Sequence, residues 1–247
     1  MGQLYVDTIE PQSGTSLTIG ESGQNTLLAG NDIRTNVIQD AGGNAILTSN
    51  GSGTLSGVNS GFGSAMSLLS TTTISSSTAS VSFTSGLTST YKTYMVTFWG
   101  IHGTVNDSDL RMQGSIDAGS NYNVSSTTTT FRGYGKSDGP NPSAESWQYQ
   151  SNWDRNNETS FFPVIADYNP VVTLHGRFIL FDPASTTYYK PFWSDIITTL
   201  MSGDTGVLWF RMGGHFQTTS AINAMSFKFT DPTANIDAGI FKLWGIK

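Results

Sequence analysis

Three aromatic residues near the middle of the chain have the types and spacing that suit sugar binding. Trp147 and Tyr149 are two residues apart, so a β-strand would place both rings on one face, and Trp153 follows closely. The flanking segments "SAES" and "QSNWDRNNE" are hydrophilic, which favours exposure of these rings. Exposed aromatic planes suit sugar rings, whereas buried ones fill a core. We therefore expect a glycan contact at Trp147, Tyr149 and Trp153, with core packing as the alternative.

The sequence lacks histidines with zinc-binding spacing, and it lacks cysteine. The histidines His102, His175 and His215 lie far apart in sequence, and none has zinc-binding spacing such as H-E-x-x-H. The absence of cysteine excludes thiol nucleophiles, thiolate zinc sites and disulfides. We expect structural roles for the histidines, and neither a cofactor nor a catalytic residue.

Acidic residues leave two alternatives open. Asp107, Asp109 and Asp117 come near one another across an expected strand, and their oxygen atoms suit calcium, although the spacing does not match an EF-hand loop. Turn formation is the simpler interpretation. Glycoside cleavage would need two carboxylates a few ångströms apart. The acids available for that chemistry are Glu145, Asp154, Glu158 and Asp167.

The elements that must position these residues are β-strands. Charged residues make up 12% of the 247 residues, against a usual value of about 25%, and Gly, Ser, Thr and Asn supply most polar positions. From residue 71 onward, alternating runs are separated by turn residues; Tyr94, Val96 and Phe98, for example, share one strand face. This pattern predicts an all-β protein in which residues 71–247 form a C-terminal antiparallel β-sandwich of jelly-roll-like type.

Two local features lead to further expectations. Pro191 lies inside a strand-like run, which predicts an edge strand or a bulge because proline lacks a ladder N–H group. The Gly- and Ser-rich residues 61–70 are expected to be a hinge, within which "SAMSLLS" at 64–70 could form one or two helical turns.

The first sixty residues predict a different kind of unit. They contain short strand-sized pieces such as "SLTIG" and "NAILT", separated by Gly and Asn turn residues. Strands with one or two apolar side chains each cannot enclose a core within one chain, so we expect residues 1–60 to be an attachment and oligomerisation segment that shares its core between copies. The expected core residues are Leu17, Ile19, Leu27, Leu28, Val37, Ile38, Ile46 and Leu47.

Charge patterning narrows the range of partners. The net charge is -6 and no run of Lys or Arg is present, so we expect no nucleic-acid partner. No window approaches about 18 consecutive apolar residues, so we expect no insertion into a membrane. Residues 41–90 contain no charged residue at all. Like chains packed about an axis would set identical charges against each other, and an uncharged surface avoids that cost.

Four ordered blocks resemble a family of bacteriophage virion proteins that is frequent in phages of marine bacteria and described as structural or tail-fibre-like. The blocks are "ISSSTASVSFTSGLTSTYKTYMVTFWGIH", "GSIDAGSNYNVSSTTTTFRGYG", "LFDPASTTYYKPF" and "QTTSAINAMSFKFTDPTANIDAGIFKLWGIK", and the likeness covers about 70 to 247. The opening "LYVDTIEPQSGTSLTIGESG" is similar to the leader of phage fibre proteins. The resemblance implies a virion location, a homotrimer, an N-terminal segment that docks on other virion proteins, and an outward-facing C-terminal domain.

These expectations define the competing functions. The first is a non-enzymatic virion protein, a short trimeric fibre or spike that adheres to a host-surface glycan after assembly in the bacterial cytoplasm. An alternative location for such a virion protein is the capsid, where it would be a head fibre or a decoration protein. A polysaccharide-degrading enzyme on the same scaffold is another class, and a free monomeric carbohydrate-binding module is a third.

Overall fold

The structure of the chain is a computed structural model that forms two compact units, Met1–Phe62 and Gly63–Lys247. The residues that the structure describes are 37–40, 42–53, 55–58, 65–105, 108–136, 144–159, 161–164, 172–200 and 206–247.

The described part of the first unit is a three-stranded antiparallel sheet. Its strands are β1 (Val37–Gln39), β2 (Ala45–Ser49) and β3 (Leu55–Val58), in that order. The turn between β1 and β2 is held by Asp40, whose carboxylate accepts hydrogen bonds from the backbone N–H groups of Gly42 and Asn44. These hydrogen bonds, above all that from the Asn44 backbone, lower the pKa of Asp40. Asp and Gly thus play the turn roles that their chemistry favours.

The second unit consists of strands β4 to β16 in its described part, with a single turn of 3-10 helix at Ser151–Trp153. The strands are β4 (Met66–Ile74), β5 (Val81–Phe83), β6 (Thr93–Gly103), β7 (Leu110–Ser115), β8 (Ser126–Lys136), β9 (Ala144–Tyr149), β10 (Asn156–Glu158), β11 (Phe161–Val164), β12 (Leu174–Phe181), β13 (Lys190–Leu200), β14 (Gly206–Phe216), β15 (Ala224–Phe229) and β16 (Ile236–Ile246).

These strands make two antiparallel sheets. Over the described ranges the larger has nine strands, in the order β10-β8-β14-β13-β12-β6-β16-β4, with β9 also paired to β8. The smaller has four strands, in the order β11-β7-β15-β5. The sheets are more unequal, and their strands more numerous, than in an eight-stranded jelly roll.

Aromatic rings from both sheets form the core between them. Phe227 of β15 is fully buried, and its ring centroid lies 6.3 Å from that of Phe98 on β6, 6.5 Å from Phe178 on β12 and 5.4 Å from Phe241 on β16. Alternate residues of each long strand point into this layer, as in Tyr94–Phe98 of β6. The prediction of an all-β protein with an antiparallel sandwich is therefore confirmed.

Two local expectations were wrong. Residues 66–70 of the expected hinge, and of the possible helical turn, begin β4 instead, because this apolar run pairs with the last strand from Met66↔Ile246 onward. The strand of Pro191 is neither an edge strand nor bulged, since β13 lies between β12 and β14 and its register with both is regular. Pro191 is its second residue, just beyond the last pair with β12 at Leu180↔Phe192, where no N–H group is needed on that side.

A buried lysine ties two connections to this scaffold. Lys190 is fully buried, and its Nζ donates hydrogen bonds to the carbonyl oxygens of Tyr188, 2.8 Å away, and Thr218, 3.0 Å away. Burial lowers the pKa of this ammonium group, while Asp182 acts in the opposite direction. The lysine therefore fastens the β12–β13 connection to the β14–β15 connection.

Candidate functional site

The outer face of the nine-stranded sheet, on the side away from the core, carries an aromatic cluster built around β9. Trp147 and Tyr149 lie on this face, 44% and 56% exposed. The ring of Tyr149 lies 5.8 Å from that of Phe131 on β8, its register partner. Gly133 of β8 lies against the indole of Trp147, and a Cβ atom there would be in ordinary van der Waals contact with the ring at 3.6 Å. The period of two in β9 thus places both predicted rings side by side.

An arginine lies against two indole rings beside this pair. The ring centroids of Trp147 and Trp209 are 5.3 Å apart, and the guanidinium carbon of Arg211 lies 5.3 Å from the first and 5.1 Å from the second. Trp209 and Arg211 are two residues apart on β14 and so share the outer face. A cation over aromatic faces is attracted by their quadrupoles, which holds the three side chains in place.

Asp195 of β13 organises the neighbouring positions. Its carboxylate accepts a hydrogen bond from Nε1 of Trp209 and lies 3.5 Å from Nε of Arg211. On the other side it lies 3.4 Å from a terminal guanidinium nitrogen of Arg177 on β12, and Arg177 in turn covers the ring of Trp193 at 5.0 Å. One carboxylate therefore orients two arginines and one indole.

The far side of the same face repeats the arrangement. Nζ of Lys242 on β16 lies 5.1 Å from the ring centroid of Trp99 and 5.9 Å from that of Trp244. Nε1 of Trp244 donates a hydrogen bond of 2.9 Å to Oγ1 of Thr97. Together with the β9 side, this places five of the six tryptophans on one face, each beside a cation.

A cavity of about 250 Å³ opens on this face between the two groups. The backbone N–H of Gly100 donates to Nδ1 of His175 over 3.3 Å, which leaves Nε2 to donate to Oγ1 of Thr173 at 2.9 Å. His175 is thereby held in one orientation at the wall of the cavity. The lining residues are His175, Gly176, Asp195, Ile196, Ile197 and Trp209.

The structure separates Trp153 from the other two predicted glycan contacts. Its ring packs 5.4 Å from that of the buried Phe210, and Arg132 lies over it at 5.3 Å. Phe210 and Arg132 are register partners whose side chains point away from the outer face. The 3-10 turn at Ser151–Trp153 ends the strand periodicity, so Trp153 lies against the core instead of beside Trp147.

Sequence reasoning missed Trp209 and Trp244, although a signal was present. Each has a cation two residues away, Arg211 and Lys242, and that spacing puts an aromatic ring and a charge on the same strand face. The contact between Arg177 and Trp193 joins two neighbouring strands, β12 and β13. It therefore depends on the strand order and has no short-range signal in the sequence.

The histidines have separate structural neighbours. Nδ1 of His102 lies 2.5 Å from Oδ1 of Asp237, and the ring of His215 stacks on that of Tyr189 with centroids 5.4 Å apart. In the described ranges, no group of three or more His, Cys, Asp or Glu residues is placed to hold a metal ion.

The acids considered for calcium are in different situations. Asp107 lies outside the described residues. Asp117 accepts hydrogen bonds from the side chain and backbone of Asn121 and from Oγ of Ser115. These hydrogen bonds, chiefly that from the Asn121 side chain, lower the pKa of Asp117 to about 2. The carboxylate therefore closes its own turn.

The acids considered for glycoside cleavage are likewise engaged where they are described. Asp154 accepts hydrogen bonds from the phenol of Tyr149 and from the backbone N–H of Thr130, and the first raises the pKa of that phenol. Glu158 lies 3.5 Å from Nε of Arg155. The side chains of Glu145 and Asp167 lie outside the described part of the chain.

The expected oligomer core is described only in part. Val37 and Ile38 of β1 are exposed in the single chain, 38% and 44% respectively, while Ile46 and Leu47 of β2 are half-buried. The register aligns Ile38 with Leu47. The remaining expected core residues, Leu17, Ile19, Leu27 and Leu28, lie outside the described residues.

Two further observations bear on function. The described residues include no helix with the length and apolar character needed to cross a membrane. No family model, curated protein or solved structure matches the chain.

Proposed function

We propose that the protein is a non-enzymatic phage virion protein, a short trimeric fibre or spike whose C-terminal sandwich adheres to a host-surface glycan. The observation that carries the adhesion proposal is the exposed group of Trp147, Trp209 and Arg211 on the outer face of the nine-stranded sheet. Flat, exposed rings held in place by cations offer planes on which sugar rings stack, and the adjoining carboxylate and guanidinium groups offer hydrogen bonds to hydroxyls.

The exposed apolar residues of β1 support the trimeric part of the proposal. A three-stranded sheet this small has little apolar surface of its own to bury, and Ile38 remains nearly half exposed in one chain. Association of three copies would cover such side chains, which is how short segments gain an adequate core. The virion location and the docking role of the N-terminal segment rest on the sequence resemblance to phage fibre proteins.

Polysaccharide binding by the full chain tests the adhesion proposal. In gels that contain host-surface polysaccharide, we expect the protein to be retarded and the polysaccharide to remain uncleaved. Trp209→Ser should abolish most of the retardation, whereas Tyr188→Ser, which removes an exposed ring from the β12–β13 connection, should leave it unchanged. Cleaved polysaccharide would favour the enzyme alternative. Unretarded protein on every polysaccharide would refute adhesion.

Assembly and location have their own tests. Light scattering of the purified chain should give three times the mass of one chain, and a monomer would refute the fibre and favour a free carbohydrate-binding module. Antibody labelling of intact virions in the electron microscope should decorate the tail. Labelling over the capsid would favour the head-fibre or decoration alternative instead.

A further inference from the structure

The cations on the outer face form a straight row across the sheet. Arg211 of β14 pairs in register with Asp195 of β13, and Asp195 pairs with Arg177 of β12. Arg177 pairs with Thr97 of β6, and Thr97 pairs with Lys242 of β16. Cations therefore stand on every second strand, and two strand spacings amount to about 10 Å. The distance is comparable to the length of two sugar rings in an extended polysaccharide.

This row has more positive than negative charge. Asp195 is its one carboxylate, and its side chain is only 12% exposed, whereas those of Arg177 and Arg211 are 48% and 54% exposed. Both contacts to Asp195 are long, 3.4 Å from Arg177 and 3.5 Å from Arg211. Among the described residues, no carboxylate lies within 4.0 Å of Nζ of Lys242.

The excess positive charge of this row contrasts with the net charge of the whole chain. The whole chain has a net charge of -6, yet three cations and one acid occupy this row. A surface lined mainly by one sign of charge raises the local concentration of ligands that carry the opposite charge. Tryptophan rings accompany each cation, so the face presents sugar-sized planes and positive charges at the same interval.

We propose that the outer face binds an acidic polysaccharide, one that bears carboxylate groups along an extended chain and runs across the strands parallel to the row of Arg211, Arg177 and Lys242. This inference rests on the proposed glycan adhesion and adds the charge class and the direction of the ligand. Guanidinium groups pair with carboxylates through two parallel hydrogen bonds, and the neighbouring rings pack on the sugar faces between those contacts.

The test compares one polymer in two charge states. The full chain is titrated with polygalacturonate and with its methyl-esterified form, which has the same backbone without the carboxylate charge. We expect the unesterified polymer to bind at least about 10-fold more tightly at low salt, with the difference shrinking as salt rises. Arg177→Gln and Lys242→Gln should each weaken polygalacturonate binding by about 5-fold or more while leaving the methyl ester little changed.

A matched control and a competing polyanion complete the design. Lys228→Gln removes the same charge from β15 of the smaller sheet, and we expect it to change neither affinity. Polyuridylate carries comparable charge without pyranose rings, and we expect it to bind more weakly than polygalacturonate. Binding of polyuridylate as tight as that of polygalacturonate would overturn the inference in favour of a general polyanion surface.

The remaining outcomes separate the two proposals. Equal binding of both galacturonan forms, lost in Trp209→Ser, would overturn the acidic class and retain glycan adhesion. Binding of neither form would overturn the acidic class, and the retardation gels with host-surface polysaccharide then decide adhesion separately. A change in the mass of Trp209→Ser by light scattering would identify the face as a subunit contact and overturn both proposals.

Discussion

The ring of Phe227 is the point at which the two sheets depend on each other, so its removal tests the scaffold of the proposed site. Phe227→Ala deletes a fully buried ring that contacts rings of β6, β12 and β16. Buried phenylalanine-to-alanine changes cost about 3–5 kcal/mol, because the lost transfer free energy adds to that of the cavity left behind. For a unit of this size, we expect the melting temperature to fall by about 6 to 20 °C.

The assay is urea unfolding of the full chain followed by tryptophan fluorescence. All six tryptophans lie in the second unit, so the signal reports that unit alone. We expect the midpoint to fall with an unchanged slope, since the surface exposed on unfolding stays the same. Phe131→Ala is the control, because that ring lies on the outer face and is half exposed, and we expect a loss below about 1 kcal/mol.

A loss of stability below about 1 kcal/mol for Phe227→Ala would refute the reasoning, because removing a ring packed between two sheets destabilises a protein by more than that. Equal losses for Phe227→Ala and Phe131→Ala would do the same, since they would place both rings in similar surroundings.

Three further predictions concern titration and assembly. Burial lowers the pKa of Lys190 from 10.5, so the unfolded chain binds the proton more tightly than the native protein. The stability of the native protein relative to Lys190→Met should therefore increase as the pH rises toward 10.5 in urea titrations, and a constant difference would contradict the burial. The pKa of Asp117 is lowered to about 2, so its contribution to the free energy of unfolding is present above about pH 4 and should be lost as the pH falls through about 2. The same loss of stability in Asp117→Asn would show that another group is responsible. Ile46→Lys should reduce the trimer fraction in sedimentation far more than Ser60→Lys, and equal effects would assign the segment to a linker.

Much of the scaffold could be predicted because its signal is local. The period of two in a strand puts Tyr94, Val96 and Phe98 on one face of β6, and the structure places all three in the core. The same period of two placed Trp147 and Tyr149 together on β9. Within a strand, the number of residues between two side chains determines whether they lie on the same face.

The remaining contacts of the candidate site could not be predicted, because they depend on which strands are neighbours. Trp153 follows a helical turn, so its spacing from Tyr149 no longer predicts a shared face. Asp195 joins Arg177 to Trp209 only because β13 lies between β12 and β14, and no short-range pattern states that order. The row that ends at Lys242 spans five strands drawn from distant parts of the chain, and it became visible only with the register.

Tryptophan oxidation footprinting tests the central claim most directly. The full chain is treated with N-bromosuccinimide, with and without saturating polygalacturonate, and each tryptophan is measured by mass spectrometry. We predict that polygalacturonate protects Trp147, Trp209 and Trp244 on the outer face and leaves the oxidation of Trp153 unchanged. Undiminished oxidation of Trp147 and Trp209 in the presence of bound polymer would contradict the account.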